Sequence, residues 1–167
     1  MSNEHTKKML YSFIIFMAAI IQVTLLDSFK IFGVKPDLLL IIVIFAGLFF
    51  KLKWAFALGI FAGILKDSLS ASSFGINTLL FPLWIFLIIK LSKKIPLDNN
   101  LICVMLVFVI GIFHNTIARI IFFALGNSLA PLGIFLRMAF LEILYTAAIL
   151  PLMFKFIKSL LYPIEIE

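Results

Sequence analysis

The chain has 167 residues, of which 64% are hydrophobic types and only 13% charged, and it carries a net charge of +6 at neutral pH. A soluble domain needs roughly a quarter or more of its surface charged, so this composition, with a mean hydropathy of +1.23, excludes a soluble enzyme, a nucleic-acid binder and a disordered segment. What is left is an integral membrane protein, a single domain over residues 1–167, with room for five or six helices at roughly 20 apolar residues each and none for an extramembrane domain.

Lys7 and Lys8 precede the first apolar run, Met9–Leu26. It is longer than a secretory signal core, and Asp27-Ser28-Phe29 offers no small-residue cleavage pattern, so a retained first helix is expected. Gln22 within it reads as an interhelical hydrogen bond. Pro36-Asp37 then opens the second run, Leu38–Phe50. Proline lacks the N–H that a first turn leaves unsatisfied, and an acidic first turn complements the helix dipole.

After Lys51-Leu52-Lys53 comes a third short run, Trp54–Leu65. Ala55, Gly59, Gly63 and Asp67 recur at i+4 and share one stripe. Gly59 and Gly63 form a small-xxx-small pattern that admits a second helix at close range. That helix belongs either to this chain or to a partner. A small, polar stretch from Ser68 to Ser73 leads through Gly75, suited to a tight turn, to Asn77, a cap or interhelical hydrogen bonder. The fourth run is Phe74–Leu91.

The last two runs, Leu101–Leu125 and Leu132–Phe154, are joined by the short loop Gly126–Pro131 and should be antiparallel neighbours. Matching their ends sets His114 and Asn115 level with Glu142 near mid-membrane, and Arg119 level with Arg137 nearer the loop. Charged groups at such depth are costly and are candidates for function. Two arginines should not face each other, so one is expected to reach Glu142 or Asp67 and the other to snorkel outward. A structural ion pair, a site for a partner helix or ligand, and a proton relay through His114 and Glu142 all stay open. Cys103, the only cysteine, has no internal disulfide partner. No catalytic constellation is present, and His5 and His114 make no metal site. No cofactor is expected.

Positive-inside counting chooses between five and six spans. With six, one side holds Lys7, Lys8, Lys51, Lys53, Lys90, Lys93, Lys94, Lys155 and Lys158. The other holds Lys30, Lys35 and Lys66 beside Asp27, Asp37 and Asp67. Five spans would invert the ratio and bury Lys51 and Lys53. The expected fold is therefore an all-α polytopic membrane protein with six transmembrane helices and both termini in the cytoplasm. Helices two and three reach only about 20 Å at 1.5 Å per residue, so both are expected inside the bundle rather than fully against lipid.

The succession Lys35-Pro36-Asp37-Leu-Leu-Leu, Gly59-x-x-x-Gly63-x-x-x-Asp67 and Phe74-Gly75-x-Asn77-x-Leu79 resembles the rod shape-determining protein MreD family, over most of the chain. The Glu142–Phe154 stretch with Pro151, followed by Lys155 and Lys158, fits as well. The resemblance implies a non-enzymatic scaffold in the bacterial cytoplasmic membrane. It would bind an MreC-type single-pass protein and act indirectly with a RodA-type glycosyltransferase, a class B transpeptidase and MreB. In this reading Pro36, Asp37, Gly59, Gly63, Asp67, Gly75 and Asn77 are the family-motif or partner-binding residues. His114, Asn115, Arg119, Arg137 and Glu142 are the intramembrane polar set, with Arg119 and Glu142 holding the core together. Asp37, Asp67, Gly75 and Asn77 are expected to shape the outer face, and lipid is a further contact.

The family's bundle is similar to the substrate-binding subunits of energy-coupling-factor vitamin transporters, which sets up a rival reading. A vitamin would then occupy an outward pocket near Asp67, Arg119 and Glu142. Such a subunit wants an alanine run on helix one, where this chain has only the adjacent Ala18 and Ala19. The loop Gly126–Pro131 offers little to recognise a ligand.

Overall fold

A computed structural model describes residues 2–28, 33–69, 75–92 and 100–161. Lys30, Lys93, Lys94, Phe74 and most of the polar stretch before it lie outside them, as do the side chains of Asp27 and Lys158. Six helices run in chain order, with no strand among the described residues: α1 Ser2–Ser28, α2 Leu38–Phe49, α3 Leu52–Leu69, α4 Ile76–Ser92, α5 Asn100–Ala124 and α6 Leu132–Leu161. Each apolar run of the sequence becomes one helix. The stretches His5–Thr24, Leu101–Ala124 and Leu132–Ile157 are long and apolar enough to cross a membrane, which makes this a membrane protein in which α1, α5 and α6 are the helices able to span.

The short α2 is the hub. Every residue from Leu38 to Gly47 is buried, and α2 packs against all five other helices. A helix apolar on every side is stable only where other chain segments or lipid surround it; here it is other helices. The remaining five follow one another around it in the order α1, α3, α4, α5, α6, with α3–α4 the most extensive pairing and α5–α6 the next. Tyr11 of α1 donates its hydroxyl to the Ile42 carbonyl of α2 at 2.6 Å, and its ring meets Phe50 edge-on. Lys8 lies over Trp54 with its ammonium 4.2 Å from the ring centre. The start of α1 therefore sits at the same end of the bundle as the start of α3.

The expectation for α3 needs correction. It is an 18-residue helix that takes Lys53 at one end and Lys66 and Asp67 at the other. At 1.5 Å per residue that is about 27 Å, close to the thickness of a hydrocarbon core. It is not enclosed: Ile60, Phe61 and Ile64 are exposed on one face while Ala55, Gly59, Gly63 and Asp67 are buried on the other. The apolar run underestimated it because charged residues at helix ends do not interrupt hydrogen bonding along the backbone.

Candidate functional site

Two carboxylates organise the polar interior. Asp37 is the N-cap of α2, one residue before the first turn to which its charge was assigned, with Pro36 ahead of it. Its Oδ1 accepts the Leu40 N–H at 3.1 Å and Gln22 Nε2 at 3.4 Å, and its Oδ2 pairs with Lys66 Nζ. The Asp37 N–H donates to Thr146 Oγ1 at 2.9 Å, and Gln22 Oε1 accepts the Leu39 N–H at 3.2 Å. Lys35 Nζ reaches the Gln22 carbonyl at 3.0 Å. Side chains from α1 and α6, together with Asp37 itself, thus accept hydrogen bonds from the free N–H groups at the start of α2, while Lys66 of α3 neutralises the Asp37 carboxylate. These N–H groups are donors that a short buried helix cannot offer to water. Asp37 is only 3% exposed, so it acts within the bundle and not on its surface.

Asp67 does the same for α4. Its Oδ1 accepts the Asn77 N–H at 3.0 Å and Asn77 Nδ2 at 2.7 Å; its Oδ2 accepts the Thr78 N–H at 2.8 Å and Thr78 Oγ1 at 2.6 Å. A carboxylate in the last turn of α3 is unfavourable to that helix's dipole and favourable to the start of α4, which runs the opposite way. Gly75, with φ +90°, turns the chain just before that start. Asp67 and Asn77 are both buried, so this part of the motif shapes the interior rather than a docking face.

The glycines explain how close α3 and α4 come. A Cβ on Gly63 would lie 2.5 Å from Thr78 Cα and 2.8 Å from the Asn77 carbonyl oxygen. One on Gly59 would strike the Ile85 methyl. The stripe Ala55, Gly59, Gly63 and Asp67 is therefore filled by α4 of the same chain.

The α5–α6 polar set departs further from expectation. Arg119 reaches neither Glu142 nor Asp67. It donates to the Ala130 carbonyl at 2.8 Å and lies over Phe135 at 4.3 Å. Asp67 is already saturated by Asn77 and Thr78, and the loop after α5 folds back within reach of Arg119, which is why the nearer acceptor wins. Arg137 is exposed. His114 Nδ1 accepts Trp84 Nε1 at 3.2 Å, and its ring lies 5.6 Å from Phe81, so its described contacts are with α4 and not with Glu142. Asn115 donates to the Gly111 carbonyl at 3.2 Å in its own helix. It does meet Glu142 in space: both line a narrow cleft with Asp37, Gly111 and Thr146. Thr146 Oγ1 donates to the Glu142 carbonyl at 2.6 Å.

Sequence reasoning missed two contributors. Lys66 stands next to Asp67 but pairs with Asp37, a choice that only the α2–α3 packing makes. Thr146, a threonine in a long apolar helix, gave only the general signal that such hydroxyls find interhelical or local partners. Among the described residues no group of three or more His, Cys, Asp or Glu is placed to hold a metal ion.

Buried polar caps, a glycine-lined α3–α4 contact and a Pro-Asp start to α2 therefore occur together in one small apolar bundle. A family profile described as rod shape-determining protein MreD matches residues 4–160, nearly the whole chain. The chain belongs to the MreD family. Membership implies a role in rod shape determination. No curated protein and no solved structure matches the chain. The residues that carried the resemblance fall at two places in the bundle: Pro36 and Asp37 at the head of α2, and Gly59, Gly63, Asp67, Gly75 and Asn77 along the α3–α4 contact.

Proposed function

We propose that this chain is a non-enzymatic, multi-pass scaffold of the bacterial cytoplasmic membrane. It binds an MreC-type single-pass protein within the cell-wall elongation complex and so helps maintain rod shape. RodA-type glycosyltransferase, class B transpeptidase and MreB are its indirect partners. The observation that carries the reading is the family match over residues 4–160. In the proposed topology all six helices cross, with both termini in the cytoplasm. The shared end of Lys8 and Trp54 supports this, because it gathers Lys7, Lys8, Lys51 and Lys53 on one side. The likeness of the bundle to vitamin-transporter substrate subunits belongs to the same proposal.

The burial pattern redirects the docking surface. Gly59 and Gly63 are filled by α4, so a partner helix meets the opposite face of α3, at Ile60, Phe61 and Ile64. A photo-crosslinking residue at Phe61 or Ile64 in living cells, followed by detergent purification, tests this. A covalent adduct to a single-pass coiled-coil protein is the expected result. Recovery of an ATPase module or a bound vitamin instead would overturn the scaffold reading. The two adjacent alanines of α1 speak against that rival, since Ala18 and Ala19 are both buried and present no docking stripe.

A further inference from the structure

The α5–α6 loop, which looked featureless in the sequence, borders an open groove of about 270 Å³ lined by Ile76, Asn115, Arg119, Phe122, Ser128 and Phe135, among others. Arg119 is half-buried in its wall, and its one described acceptor is the neutral Ala130 carbonyl. The guanidinium has five donors and a permanent charge. The described carboxylates do not neutralise it. Asp37 is paired with Lys66, and Asp67 is saturated by Asn77 and Thr78. Glu142 lines the separate cleft beside Asp37. A charge held in or near hydrocarbon without a counter-ion is costly.

Depth narrows the ligand. Arg119 lies five residues before the end of α5 at Ala124, about 7 to 8 Å along the axis at 1.5 Å per residue. With α5 spanning as proposed, that places the guanidinium toward the headgroup side of a core about 30 Å thick. The wall is mixed: Asn115 and Ser128 offer hydrogen bonds, while Ile76, Phe122 and Phe135 present apolar surface. We infer that this groove binds a phosphate-bearing anion, with Arg119 as its counter-charge, Asn115 and Ser128 as hydrogen-bonding neighbours, and the apolar wall against the rest of the molecule. Two sources share that chemistry, an anionic phospholipid headgroup and a small water-soluble phosphate. The inference rests on the membrane bundle and not on the scaffold role.

The test is native mass spectrometry of the full chain in mild detergent, titrated with phosphatidylglycerol, with phosphatidylcholine and, separately, with glycerol phosphate. The expected result is one phosphatidylglycerol held at least tenfold more tightly than phosphatidylcholine. This preference is lost in Arg119→Gln and kept in Arg137→Gln, which removes an exposed arginine outside the groove. Ala118→Trp fills the groove while sparing the charge and should also abolish binding, so the outcome does not depend on Arg119→Gln folding. Displacement of the lipid by millimolar glycerol phosphate assigns the site to soluble phosphates as well; no displacement assigns it to the lipid. Equal loss in Arg119→Gln and Arg137→Gln, or unchanged binding in Ala118→Trp, would overturn the inference, as would equal affinity for the two lipids.

Discussion

The two helical hairpins α3–α4 and α5–α6 are built from similar apolar residues and reach different tolerances. In α3–α4 the glycine faces backbone, with Gly63 against Thr78 Cα, and every donor at the start of the second helix that faces Asp67 is bound by it. In α5–α6 the corresponding small residue, Gly111, faces a side chain: an added Cβ would lie 2.9 Å from Ile143 Cγ1. The charged groups there bind backbone carbonyls and line a groove and a cleft instead of closing one another. Backbone cannot yield without moving the whole helix, whereas a side chain can shift by the few tenths of an ångström that this contact requires. One hairpin is thus a closed joint and the other an adjustable one, and the groove lies where the joint is adjustable.

The comparison breaks most visibly at Gly63. Gly63→Leu should abolish folded protein, because α4 would have to move away and take its cap with it; gel filtration in detergent and a thermal melt report the loss. If this variant stays monodisperse with an unchanged melting temperature, the close contact is passive. Asp67→Ala comes next. It leaves the Asn77 and Thr78 N–H groups without their acceptor, and a lost N-cap typically costs about 1–2 kcal/mol. Its cost is read from reversible denaturation in mixed micelles, with Asp67→Asn retaining part of it. Gly59→Ala meets only the end of the flexible Ile85 side chain, so a cost near the low end of the about 1–3 kcal/mol typical of overpacking is expected. Gly111→Ala should be smallest. The roughly 1 kcal/mol that alanine gains over glycine in a helix opposes the shift imposed on Ile143, leaving a net change within about 0.5 kcal/mol of zero. If Gly111→Ala proved as damaging as Gly63→Leu, the two hairpins would not differ in the way described.

Much of the fold was legible in the sequence, for identifiable reasons. Apolar runs bounded by charge or by Gly and Pro located all six helices. The i+4 stripe placed Ala55, Gly59, Gly63 and Asp67 on one face, and the structure buries that face. Gln22 makes the interhelical hydrogen bonds that a glutamine in an apolar helix requires. The length of α3 was less legible, because Lys53, Lys66 and Asp67 look like loop to a hydropathy count and yet complete its turns. The partners of charged residues were least legible. The sequence assigns no pairing to Lys66 and leads one of the two arginines to be expected at Glu142 or Asp67, whereas Arg119 binds the Ala130 carbonyl and Lys66 pairs with Asp37. A charged group takes the best acceptor that packing brings near, and packing is not a one-dimensional property.

The sequence by itself determined that this protein lives in a membrane, that it is helical, where along the chain its six helices lie, and that its motifs resemble the MreD family. The membrane setting and the helices follow from local composition and periodicity, which act residue by residue along the chain; the family likeness rests on the motifs instead. Only the tertiary structure decided that the short α2 is the hub, that Asp37 rather than Asp67 takes Lys66, and that α4 fills the glycine face. It also decided that the loop after α5 leaves Arg119 facing a groove. Those outcomes depend on which surfaces of six similar cylinders come together, and helices of nearly uniform hydrophobicity carry little of that choice in their order along the chain.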